Sequence, residues 1–253
     1  MTWTGLTLSV GMAVAAGLVG CFAVMRRMAL ASDAMSHVAL PGIGVAVAFH
    51  VHPGLGAIAA LVAGTALVWG LQHRTRIPTE TVIGVVFSLA LAIGSMLATG
   101  EELVDALLGT PGTLEVWEVL TGLVGVAAVA GFVLSQRNRL VLAQVSIDMA
   151  RTSGISVARL ELMYLMAFSL TVALGLRYLG VLLMGSLIII PAATAKLVAR
   201  SLDEMLAISV GCAVASTLAG EAIAGRIDRP TGPVIIAIAA ALFFASLPLR
   251  RAR

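Results

Sequence analysis

Nine stretches of mainly apolar residues, each about 20 residues long, follow one another along this chain. A stretch of that length crosses the hydrocarbon core of a bilayer as an α-helix. Only 11% of the residues are charged, whereas a soluble domain carries roughly 25%. The sequence therefore predicts an all-α, polytopic transmembrane helix bundle that forms one domain over residues 1–253. The predicted spans are 4–25, 30–50, 54–72, 80–98, 116–134, 158–176, 178–199, 205–224 and 231–249.

The two spans at 158–176 and 178–199 leave the number of crossings at eight or nine. The sequence GLRYLG between them, residues 175–180, fits either a tight external turn or a break inside a re-entrant pair. Arginines concentrate in alternate loops, and such loops face the cytoplasm. With nine crossings, this asymmetry places the N-terminus outside. Alanine recurs four residues after glycine, as in Gly42 with Ala46, which predicts a bundle packed through small residues.

An acid and a histidine lie in the second span, in the sequence SDAMSH, and are predicted to be roughly midway across the membrane, slightly toward the cytoplasm. Asp33 and His37 are four residues apart, so a helix places them on one face. Ionisable residues inside a membrane are costly and point to function. A carboxylate and an imidazole together suit Zn, Mn or Fe better than Ca or Mg. Metal or proton handling is one interpretation; a buried histidine hydrogen-bonded to a neighbouring acid for structural reasons is the other.

Other ionisable residues in or near the spans allow weaker predictions. His50 and His52 flank the outer end of the second span, and Glu221 lies near the outer end of the eighth. These three are candidates for an access route for a cation, although His50 and His52 also suit a cap at the headgroup level. Glu80 opens the fourth span, where an acid is favoured by the helix dipole. His73 is predicted to be solvated in a basic loop.

The longest polar segment, about 135–157, is predicted to be cytoplasmic and contains a short helix. Ser146 is suited to cap the helix, Asp148 lies near its positive end, and Gly154 is placed to end it. The segment is either a docking element for a soluble partner or a connector on the membrane surface. The residues of the docking element would be Ser146, Ile147, Asp148, Met149, Ala150, Arg151, Thr152, Ser153 and Gly154.

Several classes of protein leave a sequence signature that this chain lacks. It contains no GxxxxGK[ST] phosphate loop, no HExxH zinc helix and no GxSxG nucleophile turn. The formal net charge of +3 is too modest to suggest nucleic-acid binding. Cys21 and Cys212 lie alone in apolar runs and are predicted to be buried hydrophobic residues. We therefore expect neither an enzyme nor a permanently bound cofactor.

Motifs spread over most of the chain resemble the permease subunits of bacterial ABC transporters for zinc, manganese and iron(II). Ser32, where glycine is common in that family, is a minor departure. The segments that carry the resemblance are RRMALASDAMSHVALPGIGVAVAF (26–49), TETVIGVVFSLALAIGSML (79–97), SIDMARTSGI (146–155), YLGVLLMGSLIIIPAATAKLVARSLDEML (178–206) and GRIDRPTGPVIIAIAAALFFAS (225–246).

The resemblance implies a multi-pass protein of the bacterial inner membrane that imports a divalent metal by ATP hydrolysis in a separate subunit. Two permease chains would pair, and a cytoplasmic ATPase dimer would bind the short helix at 146–154. An extracytoplasmic metal-binding protein would deliver the ion. The family's metal site matches Asp33 and His37 here, so two chains would supply four ligands to a transient Zn, Mn or Fe ion. A proton-coupled secondary metal transporter is the alternative.

Overall fold

The computed structural model describes residues 3–75, 77–97, 116–227 and 229–249; the side chains of residues 3, 4, 29–33, 97, 116 and 177–182 lie outside that description. We number the helices of the described residues in chain order. They are α1 (Trp3–Met25), α2 (Ala29–Ala48), α3 (Pro53–Arg74), α4 (Thr79–Leu97), α5 (Val116–Val145), α6 (Ile147–Thr152), α7 (Val157–Val198), α8 (Leu202–Ile227) and α9 (Thr231–Ser246), followed by a 3-10 turn at Leu247–Leu249.

The helices match the apolar stretches of the sequence and confirm the predicted all-α membrane bundle. In the part of the chain that the structure describes, seven helical segments are long and apolar enough to cross a membrane. Two shorter apolar segments, Ala34–Ala48 in α2 and Leu183–Val198 in α7, fill the remaining predicted positions. The acidic sequence EELVD at 101–105, predicted to face outward, lies outside the described residues.

Helix α7 is a hairpin of two arms, because residues far apart along it contact neighbouring residues of α1. The hydroxyl of Tyr164 donates to the carbonyl of Val19 over 3.0 Å. A Cβ placed on the next residue, Gly20, would overlap the carbonyl oxygen of Ile188. A straight helix would hold Tyr164 and Ile188 about 36 Å apart, at 1.5 Å per residue.

The contacts at the two ends of α7 support the same conclusion. The carbonyl of Ala158 accepts from the indole of Trp69, and Lys196 donates to the carbonyl of Val24. Both ends of α7 therefore lie at the same end of the bundle, beside the last turns of α1 and α3. The chain reverses between the arms 157–176 and 183–198, which agrees with either interpretation of GLRYLG, so the number of crossings stays a prediction.

Helix α1 forms the centre of the bundle and packs against both arms of α7, against α8 and against α5. In its apolar span, 72% of the residues are buried. Backbones approach closely here, since a Cβ on Gly17 would lie 3.0 Å from the Cα of Val210. The hydroxyl of Ser209 also donates to the carbonyl of Gly17 over 2.8 Å. We call α1, α7 and α8 the central layer.

Helices α2, α3 and α4 form a second layer, which we call the α2 layer; α2 joins it to α7. Only 28% of the residues in the apolar spans of α3 and α4 are buried. Helices α2 and α3 cross at Gly42 and Gly56, where a Cβ on either residue would overlap the carbonyl oxygen of the other. Ala46 also packs at this crossing, which confirms the predicted role of small residues.

The end of the bundle that carries the arginines extends beyond the apolar spans. Helix α5 has 30 residues and is about 45 Å long, longer than the roughly 30 Å hydrocarbon core. The segment predicted from residue 135 onward thus begins as a continuation of α5, and α6 follows it directly. The side chains of Arg137 in α5 and Asp203 in α8 form an ion pair at this end.

Candidate functional site

Asp33 and His37 both lie on α2, one turn apart, as the sequence predicts. Counted from Ala29, Asp33 lies about 6 Å and His37 about 12 Å along a helix about 30 Å long. The pair is therefore closer to the cytoplasmic end of the span than the predicted position near its middle. Pro41 lies one turn further on, within α2, and cannot donate a backbone hydrogen bond to the carbonyl of His37.

The imidazole of His37 is half-buried and lies edge-on to the ring of Phe87 in α4, with the ring centroids 5.4 Å apart. Ser36, beside it, is completely buried. His37 thus lies where the α2 layer meets the outer surface of this single chain. The side chain of Asp33 lies outside the described residues, so the predicted pairing of the two side chains stays a prediction.

The described side chains of one chain do not complete a metal site. Among the described side chains, no three His, Cys, Asp or Glu residues lie close enough together to hold an ion. Two ligands from α2 would therefore need others from a second chain or from residues outside the description.

His50 and His52 lie in the exposed turn between α2 and α3. His52 caps α3, because its Nδ1 accepts a hydrogen bond from the backbone N–H of Gly54 over 3.1 Å. His50 has a left-handed backbone with φ of 56°. Thirteen residues separate His50 from His37, about 20 Å along α2. The structure thus gives His52 a structural role, and an access route through these residues stays a prediction.

Glu221 lies in the central layer, away from the α2 layer. It is on α8, which packs on α1, α7 and α9. Its side chain is buried, and its Oε2 has no hydrogen-bond partner among the described atoms. The structure therefore does not bring Glu221 together with His37.

The short helix α6, predicted to be cytoplasmic, has the predicted capping pattern. The hydroxyl of Ser146 accepts from the backbone N–H of Met149, Asp148 lies in the first turn, and Gly154 has a φ of 77°. Asp148 and Thr152 lie one turn apart, and the Thr152 hydroxyl donates to the carbonyl of Asp148. Apolar side chains are exposed nevertheless, with Ile147 at 50% and Met149 at 59%. An exposed apolar surface on a helix outside the membrane suits contact with a protein partner.

A polar network that the sequence did not predict surrounds Glu161, at the start of α7. Gln72 donates to Glu161 Oε1 over 2.8 Å, and Arg26 does so over 3.4 Å. The Nε2 of His73 lies 3.9 Å from Glu161 Oε2. His73 is exposed, as predicted, but it lies in the last turn of α3 and not in a loop. No local signal in the sequence pairs Gln72 with Glu161, which lies 89 positions later.

Arg26 and Tyr164 extend this network into the central layer. The guanidinium carbon of Arg26 lies 4.8 Å from the centroid of the Tyr164 ring, close enough for a cation–π contact. The α1–α2 turn, α3 and α7 are thereby joined at the cytoplasmic end. Glu80, in the first turn of α4, is exposed, as expected of an acid at a helix N-terminus.

A family model for the ABC 3 transport family matches residues 1–250. The chain belongs to this family. It is therefore a permease subunit of an ABC transporter, a multi-pass membrane protein and not itself a catalyst, and the predicted membership is confirmed. The proton-coupled secondary transporter, left open by the residues alone, is disfavoured.

Curated relatives align over nearly the whole chain. The high-affinity zinc uptake system membrane protein ZnuB of Haemophilus influenzae is 28% identical, over 96% of this chain and 94% of the relative. The manganese transport system membrane protein MntC of Halalkalibacterium halodurans is also 28% identical, over 94% and 83%. The chelated iron transport system membrane protein YfeD of Yersinia pestis is 30% identical, over 92% and 80%.

Solved structures share the fold. A chain of PsaBC from Streptococcus pneumoniae, solved in complex with Fab, superposes with a TM-score of 0.83 at 25% identity, covering 96% of this chain and 89% of that one. An inward-facing putative metal-chelate type ABC transporter superposes with a TM-score of 0.73 at 20% identity, covering 95% and 84%. The second similarity supports the fold alone.

Proposed function

We propose that this permease conducts a divalent transition-metal ion, zinc or manganese or else iron(II), into the bacterial cytoplasm. The observation that carries the proposal is the half-buried imidazole of His37 inside an apolar span, one turn after Asp33 on the same helix. Relatives with similar identities are named for zinc, manganese and chelated iron, which supports this class of ion without choosing among its members.

Asp33 and His37 are the proposed ligands, and a second copy of the chain is the proposed source of the other two. A carboxylate and a neutral imidazole suit Zn, Mn and Fe. His37 lies at the surface of the single chain, where lipid would be a poor environment for an imidazole. Pairing of two α2 helices across a dimer axis would cover it and supply four ligands. A site of this kind holds the ion transiently, as transport requires.

Helix α6 is the proposed contact with a cytoplasmic ATPase dimer, and a binding protein on the outer side is the proposed source of the ion. Ile147 and Met149 present an apolar surface of the kind that a protein partner covers. ATP binding and hydrolysis in the partner would then move α6 and, through the adjoining α5 and α7, the membrane helices. In this scheme the permease supplies the path and the ATPase supplies the energy.

Metal uptake in cells that express the whole transporter tests the proposed site. Asp33→Asn and His37→Gln remove a ligand with little change in volume, so we expect each to abolish uptake of the transported metal while the protein still reaches the membrane. Zn²⁺, Mn²⁺ and Fe²⁺ are offered separately. Ser95→Ala is the control, because the Ser95 hydroxyl donates to Ala92 of its own helix. Normal uptake in both ligand variants would refute the site.

Co-purification of the ATPase tests the proposed role of α6. Met149→Asp places a charge on the apolar surface of α6, and we expect it to lower the amount of ATPase retained by the permease at least about tenfold, since each 1.4 kcal/mol lost is a factor of ten. Thr121→Ala, on α5 outside the docking element, is the control because the exposed Thr121 hydroxyl bonds to the backbone of its own helix. Equal retention by both variants would argue against docking at this surface.

A further inference from the structure

A cleft of about 520 Å³ opens at the cytoplasmic end of the bundle, between the α1–α2 turn and the ends of five other helices. Gln72, Glu80 and Glu161 line it, together with Arg26 and Met28. Met28 immediately precedes α2, so the cleft begins about 7.5 Å along the helix from Asp33 on its cytoplasmic side. An ion that leaves α2 toward the cytoplasm passes the level of this cleft.

His73, next to Gln72, is held in the orientation that a metal ligand needs. Its Nδ1 lies 2.8 Å from the carbonyl oxygen of Trp69, and its ring stacks on the Trp69 ring with centroids 4.7 Å apart. A carbonyl can only accept, so Nδ1 carries the hydrogen. In the neutral imidazole, Nε2 then has its lone pair directed away from that bond. Metal-binding histidines commonly have this arrangement, with the other ring nitrogen bonded to a backbone carbonyl.

The Nε2 atom of His73 lies near one carboxylate oxygen of Glu161, and Gln72 and Arg26 donate to the other. Glu161 Oε2 lies 3.9 Å from His73 Nε2, whereas Oε1 already accepts from Gln72 and Arg26. Zinc binds nitrogen at about 2.0–2.1 Å and carboxylate oxygen at about 2.0–2.2 Å, so an ion fits between these two atoms. The Oε1 of Gln72 is buried and has no hydrogen-bond partner among the described atoms.

We propose that His73 and Glu161 form a second, weak binding site for the transported divalent metal at the cytoplasmic mouth of the permease. The amide oxygen of Gln72 is the nearest further donor. The inference rests on the proposed transport of such an ion through α2. The guanidinium of Arg26 beside Glu161 repels a second cation and keeps the site weak, which suits a position from which the ion is released. The competing interpretation is a protonated His73 that holds α3 to α7 as an ion pair.

Zinc binding to the purified full-length permease tests the site independently of the one on α2. The starting protein carries Asp33→Ala and His37→Ala, and Zn²⁺ is the probe. We expect a remaining site whose affinity falls at least about tenfold with added His73→Ala. It should stay unchanged with added Ser88→Ala, because the exposed Ser88 hydroxyl donates to the carbonyl of Gly84 in its own helix. Equal affinities in these last two proteins would overturn the proposal. Uptake that survives Asp33→Ala and His37→Ala would instead refute the α2 site, and the zinc titration would still decide on His73.

A cysteine at position 73 separates metal binding from an ion pair in the otherwise unchanged transporter. A thiolate binds Cd²⁺ and Zn²⁺ well and Mn²⁺ poorly, whereas neither cysteine nor alanine can replace a histidine cation. We expect His73→Cys to lower the Cd²⁺ concentration that inhibits uptake at least about tenfold relative to His73→Ala. Cys21 and Cys212 are present in both proteins. The same Cd²⁺ sensitivity in both variants would identify an ion pair and overturn the proposal.

Discussion

Glycines at helix crossings allow close packing in both the central layer and the α2 layer, but the two crossings differ in how far other helices cover them. Gly20 of α1 meets the backbone of Ile188 inside a crossing covered by other helices. Gly42 of α2 meets the backbone of Gly56, and both glycines are partly exposed. Hydrogen bonds from Tyr164 and Ser209 to carbonyls of α1 reinforce the central layer. We therefore infer that the central layer is a fixed frame and that α2, which carries the proposed ligands, is the more easily displaced element.

The largest effect on stability is expected at the central crossing. In Gly20→Ala, the new Cβ would overlap the carbonyl oxygen of Ile188, and surrounding helices prevent the two backbones from separating. Overpacking of this kind costs about 3 kcal/mol. Thermal unfolding of the purified permease in detergent measures the loss. Gly211→Ala in α8 is the matched control, because a Cβ at Gly211 meets nothing within 4 Å. Equal stability of the two variants would contradict close packing of the central layer at Gly20.

A smaller loss of stability, with a larger loss of transport, is expected at the α2–α3 crossing. Gly42→Ala would push its Cβ against the carbonyl of Gly56, but α3 can shift outward toward lipid. We expect about 2 kcal/mol of destabilisation, and reduced metal uptake because α2 is displaced. Gly70→Ala, at an open position of α3, is the control. If Gly42→Ala were as destabilising as Gly20→Ala while uptake stayed normal, the two layers would not differ in the way we infer.

The smallest effect is expected for one hydrogen bond of the frame. Tyr164→Phe removes the donor to the carbonyl of Val19, in a completely buried position, and leaves the ring in place. A single hydrogen bond contributes about 1 kcal/mol, so the unfolding temperature should fall slightly, with uptake retained. Phe168→Leu on the same arm serves as a comparison for a change of ring packing alone. A loss of uptake without a loss of stability would show that Tyr164 takes part in transport.

Local sequence determined the features that depend on neighbouring residues. Apolar length set the positions of the spans, because a bilayer admits only backbones that bond internally. The cap at Ser146 and the left-handed turn at Gly154 followed from side chains and backbone freedom within one short helix. Helical periodicity alone placed Asp33 and His37 one turn apart. These features need no knowledge of the rest of the fold.

Only the tertiary structure decided which residues meet across the bundle. GLRYLG marked only a break between two apolar runs, and the joint contacts of Tyr164 and Ile188 with α1 showed that the chain reverses there. Helices cross closely at Gly20 and at Gly42, whereas a Cβ at Gly70 or Gly211 would meet nothing within 4 Å. His73 met Glu161 across 88 positions of sequence. Such contacts depend on helix order and rotation, which spacing along one helix does not contain.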